Sequence, residues 1–127
     1  MDRILKPTDY YFANAVDIAA ERITSVEGAS EAGEITVKVL LVGDKILMLE
    51  VFRKKGLVDP VHSHPDHESC GYLISGSMQL IIGESTFIAS PGSSWIHPAG
   101  VDHYSEALED SIQLEVKSPP RKTWKTT

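Results

Sequence analysis

From residue 35 onward the chain is a series of short runs rich in Val, Ile, Leu, Thr and Phe, cut at close intervals by turn-forming pairs. The runs cover 35–42, 45–53, 70–74, 77–82, 85–89, 94–97, 103–107 and 111–117. Between them stand Gly43-Asp44, Lys55-Gly56, Ser75-Gly76, Gly83-Glu84, Pro91-Gly92, Ala99-Gly100 and Glu109-Asp110, pairs that tolerate tight turns or positive φ. Evenly spaced short strands of this kind predict an all-β sandwich or closed barrel. Run length alone does not choose between them.

The first 34 residues have a different character. Phe12, Val16, Ala19, Ala20 and Ile23 fall near helical spacing in a segment that ends around Gly28. Thr8-Asp9 offers a helix cap, but the apolar stripe is narrow, so the segment reads as a short helix or an irregular arm. Ser118-Pro119-Pro120 opens the tail, and because proline has no N–H to give to a ladder, regular strand structure is expected to stop there. At 127 residues the chain can build one core but not two. It therefore divides into an arm (1–34), a core (35–118) and a tail (119–127) of one domain, residues 1–127.

Composition removes several classes of function. The apolar fraction is 42%, and no uncharged apolar run approaches the roughly 20 residues that span a bilayer. Asp2, Arg3, Lys6 and Asp9 interrupt the place where a secretory signal would lie, so cytoplasmic residence is expected. The single cysteine, Cys70, agrees with a reducing compartment and is expected to be buried and inert in an apolar strand. A net charge of −6 argues against nucleic acid and anionic membranes as partners, since both select clustered Lys and Arg.

The chemistry concentrates in two stretches. His62 and His64 are one residue apart, and on an extended backbone alternate side chains share a face, so both imidazoles can converge on one ion. His103 follows Pro98 and Gly100, which fix the backbone where a strand begins. Gly56, five residues, His62, Ser63, His64, three residues, Glu68 and then Gly76 form one pattern; Gly92, Pro98, Gly100 and His103 form a second. These resemble the two motifs of the cupin family, G-x5-H-x-H-x3,4-E-x6-G and G-x5-P-x-G-x2-H-x3-N. The final Asn of the second is Ala107 here. The resemblance implies a single cupin β-barrel, a jelly roll or double-stranded β-helix, with one divalent transition metal (Mn, Fe, Ni, Co or Zn) on His62, His64, His103 and a fourth ligand.

The fourth position has two readings. Counting forward from His64 gives Glu68, whereas counting back six residues from Gly76 gives Ser69. Glu68 is preferred because a neutral hydroxyl is a poor ligand for a divalent metal. His67 reads as a loop residue or as an outer partner of a ligand, and His97 as packing at the barrel mouth. Trp95, Tyr72 and Phe87 are expected in the core or at an interface, and Tyr104 is a candidate for facing the mouth.

The end of the barrel is also similar to small bacterial cupins that include pectin-degradation proteins acting on unsaturated uronates. In those an acid, an aromatic and an arginine line the substrate pocket, and the corresponding positions are Glu115, Lys117 and Arg121, so the aromatic is lost. The resemblance implies Glu115 as a catalytic acid or base and Arg121 as a bidentate partner for a substrate carboxylate. The leading expectation is an enzyme using the metal as a Lewis acid on a small oxygen-rich acid, of isomerase or lyase type. An iron-dependent dioxygenase and a non-catalytic barrel binding a metal and a small ligand are the alternatives. A homodimer is expected through the arm, where Tyr10, Tyr11 and Phe12 offer aromatic surface.

Overall fold

Each of the eight predicted runs is a strand in the computed structural model, which describes residues 3–126. In chain order the strands are β1 (Glu21–Val26), β2 (Ala29–Ser30), β3 (Ile35–Val42), β4 (Leu47–Arg53), β5 (Val58–His62), β6 (Glu68–Ser75), β7 (Met78–Ile82), β8 (Ser85–Ala89), β9 (Ser94–His97), β10 (His103–Ala107), β11 (Ser111–Ser118) and β12 (Trp124–Thr126). They form two antiparallel sheets, one in the order β12-β1-β3-β4-β11-β6-β9 with β2 on β1, the other β5-β10-β7-β8. The sheets curl face to face as a jelly roll and enclose the core between them.

Period-2 alternation builds that core. Leu47, Leu49 and Val51 of β4 point inward against Ile35 and Val37 of β3 and Leu57, and all six are at most 3% exposed. Burying each such side chain contributes about 1.5–3 kcal/mol. A second cluster of Leu73, Met78, Leu80 and Ala89, with Trp95 against it, fills the other end. The inward row of β4 then ends on Arg53, and that of β11 carries Gln113 and Lys117. The interior is thus apolar along β3 and β4 and polar along the facing row of β11, from Ser111 opposite Arg53 to Lys117 opposite Leu47.

Two expectations for the flanks hold only in part, for local reasons. The stretch read as a helix or arm has only one turn of 3-10 helix, Ala15–Asp17, whose start is capped by Asn14 Oδ1 accepting from the Val16 N–H at 3.1 Å. Ile23, taken into the helical stripe, lies in β1. A bulge between Ile23 and Ser25 lets Ile23 and Val26 both face the core three residues apart, which mimics helical spacing. In the tail, the prolines do interrupt the ladder, but pairing resumes at β12, which adds to β1 and brings Trp124 into the core at 4% exposure.

Cys70 departs from expectation, and Tyr72 and Phe87 are narrowed to the surface. Cys70, Tyr72 and Ile74 occupy the outward row of β6, so Cys70 is exposed rather than buried and Tyr72 is no core residue. Phe87 is likewise exposed. Gly71, on the inward row, is required because a Cβ there would run into the Trp95 indole. Gly76 is required twice over: its φ is +97°, and a Cβ would strike Ser111 and the Asp110 carbonyl.

Candidate metal centre

The pairing of β5 with β10 sets His62 opposite His103 in the interior. A bulge between these strands matches Asp59 and His62, three apart, to Ser105 and His103, two apart, so that Asp59 and His62 both turn inward. His62 Nε2 lies 3.0 Å from His103 Nε2. Their Nδ1 atoms are directed at backbone carbonyls, of Pro60 at 2.8 Å and Val101 at 3.4 Å. Donation to those carbonyls places the ring proton on Nδ1 and leaves two Nε2 lone pairs facing each other.

Facing lone pairs repel unless a proton or a cation lies between them. A proton is disfavoured, because burial, followed by His97 and His62, lowers the His103 pKa to about 3. His64 completes the group, with its ring centroid 5.0 Å from that of His62 and 4.9 Å from that of His103. Burial, then Lys117 and the neighbouring histidines, pushes His64 far below the ordinary imidazole range. The donor atoms of the three lie within 4.8 Å of one another, and the three residues are 8%, 4% and 4% exposed. Three buried, convergent imidazoles form a site that can hold a divalent metal, and the residues present fit one.

Two further histidines flank the group. His97 stacks flat on His103, with centroids 3.7 Å apart and planes 5° apart, and burial lowers its pKa to about 4. His67 is buried beside His64, centroids 4.4 Å apart, with Nδ1 against Asp66 Oδ1 at 3.1 Å.

The fourth position is corrected. The β6–β11 and β6–β9 registers pair Ser69 with Lys117 and His97, so Ser69 faces inward at 3% exposure. Glu68, one residue earlier, is on the outward row and exposed. Among the described residues the donor cluster contains the three histidines and not Glu68.

Glu115 and Lys117, two apart on β11, line the same cavity as the histidines, together with Arg53 and Asp59. Lys117 Nζ donates to Thr123 Oγ1 at 2.7 Å and stands 3.3 Å from Glu115 Oε2. Burial alone would raise the Glu115 pKa, but Lys117 and Arg53 outweigh it and hold the carboxyl below its ordinary range. Arg53 Nε donates to Gln113 Oε1 at 2.9 Å, and its Nη1 lies 3.7 Å from Asp59 Oδ2. The cavity measures about 40 Å³, room for an ion and a few waters or a carboxylate-sized group.

Arg121 and Tyr104, expected at the substrate, are not brought to this cavity. Arg121 Nε is turned to Asp66 Oδ2 at 3.3 Å, and Tyr104 alternates with the inward His103 and Ser105 and so faces the other side of β10. Arg53, Asp59, Thr123 and Trp124 are wall residues that sequence reading missed. Only Arg53 had a legible signal, as the next step of the inward row Leu47, Leu49, Val51.

Comparison with known proteins agrees with this architecture. The family described as Cupin domain matches residues 48–116, which hold all three histidines and Glu115. The pectin degradation protein KdgF of Dickeya dadantii (strain 3937) is 26% identical over 85 residues, covering 66% of this chain and 77% of that protein. Oxalate decarboxylase OxdC of Bacillus subtilis (strain 168) is 28% identical over 94 residues; the match covers 70% of this chain but only 24% of that protein. The crystal structure of an RmlC-like cupin from Shewanella frigidimarina NCIMB 400 superposes with a TM-score of 0.80 at 19% identity, covering 93% of this chain and 97% of that one. With both motifs folded onto one cavity and the family match spanning more than half of its length, this chain belongs to the cupin domain family.

Proposed function

We propose that His62, His64 and His103 hold one divalent transition metal and that the cavity acts on a small oxygen-rich acid of the sugar-acid type, by isomerisation or elimination. The observation that carries this reading is the convergence of three buried imidazoles in a cavity that also holds Glu115 beside Lys117. A metal there would supply Lewis-acid polarisation of a carbonyl or hydroxyl oxygen. Glu115, kept ionised by its cationic neighbours, is the group suited to accept a proton from the bound acid. Lys117 and Arg53 are balanced by Glu115 and Asp59, so a bias of the cavity toward an anion would come from the bound metal. The relative named for pectin degradation supports the sugar-acid class.

The test is elemental analysis of protein purified without a histidine tag, followed by titration of the loaded protein with small uronic and sugar acids and NMR detection of product. About one metal per chain and turnover of an acid are expected. Absence of metal above background would overturn the reading.

One observation supports a second reading. Ser69 on the inward row of β6, in place of an acid, leaves more coordination positions to small molecules, as a ferrous dioxygenase requires. Oxygen consumption dependent on iron would select it. Stoichiometric metal and acid binding without turnover would select the non-catalytic barrel.

A further inference from the structure

Behind His64, four segments of the chain meet. Glu27 Oε2 lies 3.4 Å from His64 Nδ1, and Glu27 Oε1 is 2.8 Å from Arg3 Nη1. Arg3 Nη2 also reaches Asp66 Oδ1 at 3.6 Å, and Asp66 Oδ2 meets Arg121 Nε at 3.3 Å. The Glu27 side chain is only 8% exposed, and its peptide N–H donates to the Thr123 carbonyl at 2.9 Å.

Two features single out Glu27. Its φ is +50°, a left-handed conformation that residues with a Cβ adopt rarely, and Gly28 beside it would take that conformation without strain. A glutamate kept in such a position, buried and aimed at an imidazole, is retained for its side chain. The second feature concerns the histidines. His62 and His103 have Nδ1 directed at backbone carbonyls, whereas His64 Nδ1 is buried with no hydrogen-bond partner. The orientation of His64 is thus not set by its backbone, and Glu27 is the acceptor within reach. At 3.4 Å the contact is long for a hydrogen bond, and it shortens when Nε2 gives its lone pair to a cation and the Nδ1–H becomes more acidic.

We infer that Glu27, tethered by Arg3, is the positioning residue of His64: it accepts the Nδ1–H and turns Nε2 toward His62 and His103. The N-terminal segment, which lies outside the family match, is then part of the metal centre. The inference rests on the proposed metal for its effect on affinity but not for its effect on the ring itself.

The test compares Glu27→Ala and Glu27→Gln with wild type by two measurements. Titration with Zn²⁺ or Co²⁺ alone is expected to show affinity lowered about 10- to 100-fold in Glu27→Ala, at unchanged stoichiometry, and largely restored in Glu27→Gln. Long-range ¹⁵N–¹H NMR of the metal-free protein is expected to show His64 leaving the Nδ1–H tautomer in Glu27→Ala while His62 and His103 keep theirs. A merely structural glutamate would loosen all three rings, and that outcome overturns the inference, as does an unchanged His64 tautomer. If wild type binds neither metal but His64 alone changes tautomer, the positioning role stands and the metal reading falls.

Discussion

Ser69 faces His97 across the β6–β9 pair, while Glu68 points to solvent, and this one-residue difference puts a hydroxyl rather than a carboxylate on the inward face. Side chains on a strand alternate, so an acid at Glu68 cannot share the inward face with Ser69 unless the register slips and turns Leu73 outward as well. Glu68→Gln is therefore expected to leave metal stoichiometry unchanged and affinity within about twofold. His62→Ala, His64→Ala and His103→Ala should each sharply reduce bound metal, because two imidazoles make an incomplete ligand set. Elemental analysis of the four variants checks both halves. Loss of metal in Glu68→Gln would bring that carboxylate into the site.

Acid should destabilise the metal-free protein through its buried histidines. His97 and His103 have folded pKa values of about 4 and about 3, against 6.5 for an ordinary imidazole. The unfolded chain therefore takes up protons before the folded one as pH falls. The stability these neutral rings allow is fully present above pH 6.5 and is lost as pH falls toward the folded values. Each such group changes stability by up to about 1.4 kcal/mol per pH unit in that window. Urea denaturation of the metal-free protein at pH 7, 6 and 5 should show falling midpoints, with a shallower fall in His97→Gln. Equal midpoints across that range would contradict the buried neutral state.

Glu31 should act in the opposite direction. Burial first, then the Asp59 carboxylate and a proton shared with it, raise its pKa, against a smaller opposing effect of Arg53. A raised folded pKa means full stability below the ordinary value of 4.5, lost as pH rises and the unfolded chain gives up its proton. Glu31→Gln, which carries no proton to lose, is expected to stabilise the protein at pH 8 by on the order of 1–2 kcal/mol and to change little at pH 4. Denaturant titrations at the two pH values measure the difference. Equal effects at both would place Glu31 in contact with water.

How much of this was legible follows from where alternation held. β3, β4 and β6–β11 announce themselves through turn pairs and period-2 patterns, and the two histidine motifs lie on or beside them. β1 was masked because Ile23 falls at helical spacing from Ala19 and Ala20, while its bulge breaks the period-2 pattern between Ile23 and Val26. β12 was masked by Pro119 and Pro120, although Trp124 beyond them seals the core. Asp59 and Thr123 reach the cavity only through a bulge and a strand pairing that spans most of the chain. No local pattern encodes either. The pairing of Arg121 with Asp66 was not legible, because Asp66 is one of many acids in the sequence and nothing local marks it as the partner.

We propose that two copies associate through the N-terminal segment. Tyr10 Oη donates to the Leu40 carbonyl at 3.2 Å and Lys38 Nζ to the Ala15 carbonyl at 2.7 Å, which fixes the segment on its own sheet. Tyr11 and Phe12 are left 99% and 84% exposed, the kind of apolar surface that a second copy covers. Tyr11→Ser with Phe12→Ser should convert a dimer to a monomer in light scattering at tens of micromolar. A wild-type monomer under those conditions would remove the proposal.

The last prediction separates Lys117 from Arg121. Both are cations near the end of β11, but Lys117 is 4% exposed on the cavity wall, whereas Arg121 is occupied by Asp66 at 3.3 Å. A carboxylate entering the cavity meets the Lys117 ammonium without breaking its bond to Thr123, since an ammonium has three donors. A charge-assisted contact of this kind contributes roughly 1.5–3 kcal/mol, so Lys117→Met should weaken binding of a small sugar acid by about ten- to a hundredfold. Arg121→Lys should leave it within twofold, because the Asp66 pairing is a half-exposed contact away from the cavity. Calorimetric titration of the metal-loaded variants, with thermal melts to confirm that Lys117→Met stays folded, distinguishes the two. Weakening in Arg121→Lys and none in Lys117→Met would show that Arg121 leaves Asp66 and turns into the cavity when the acid binds.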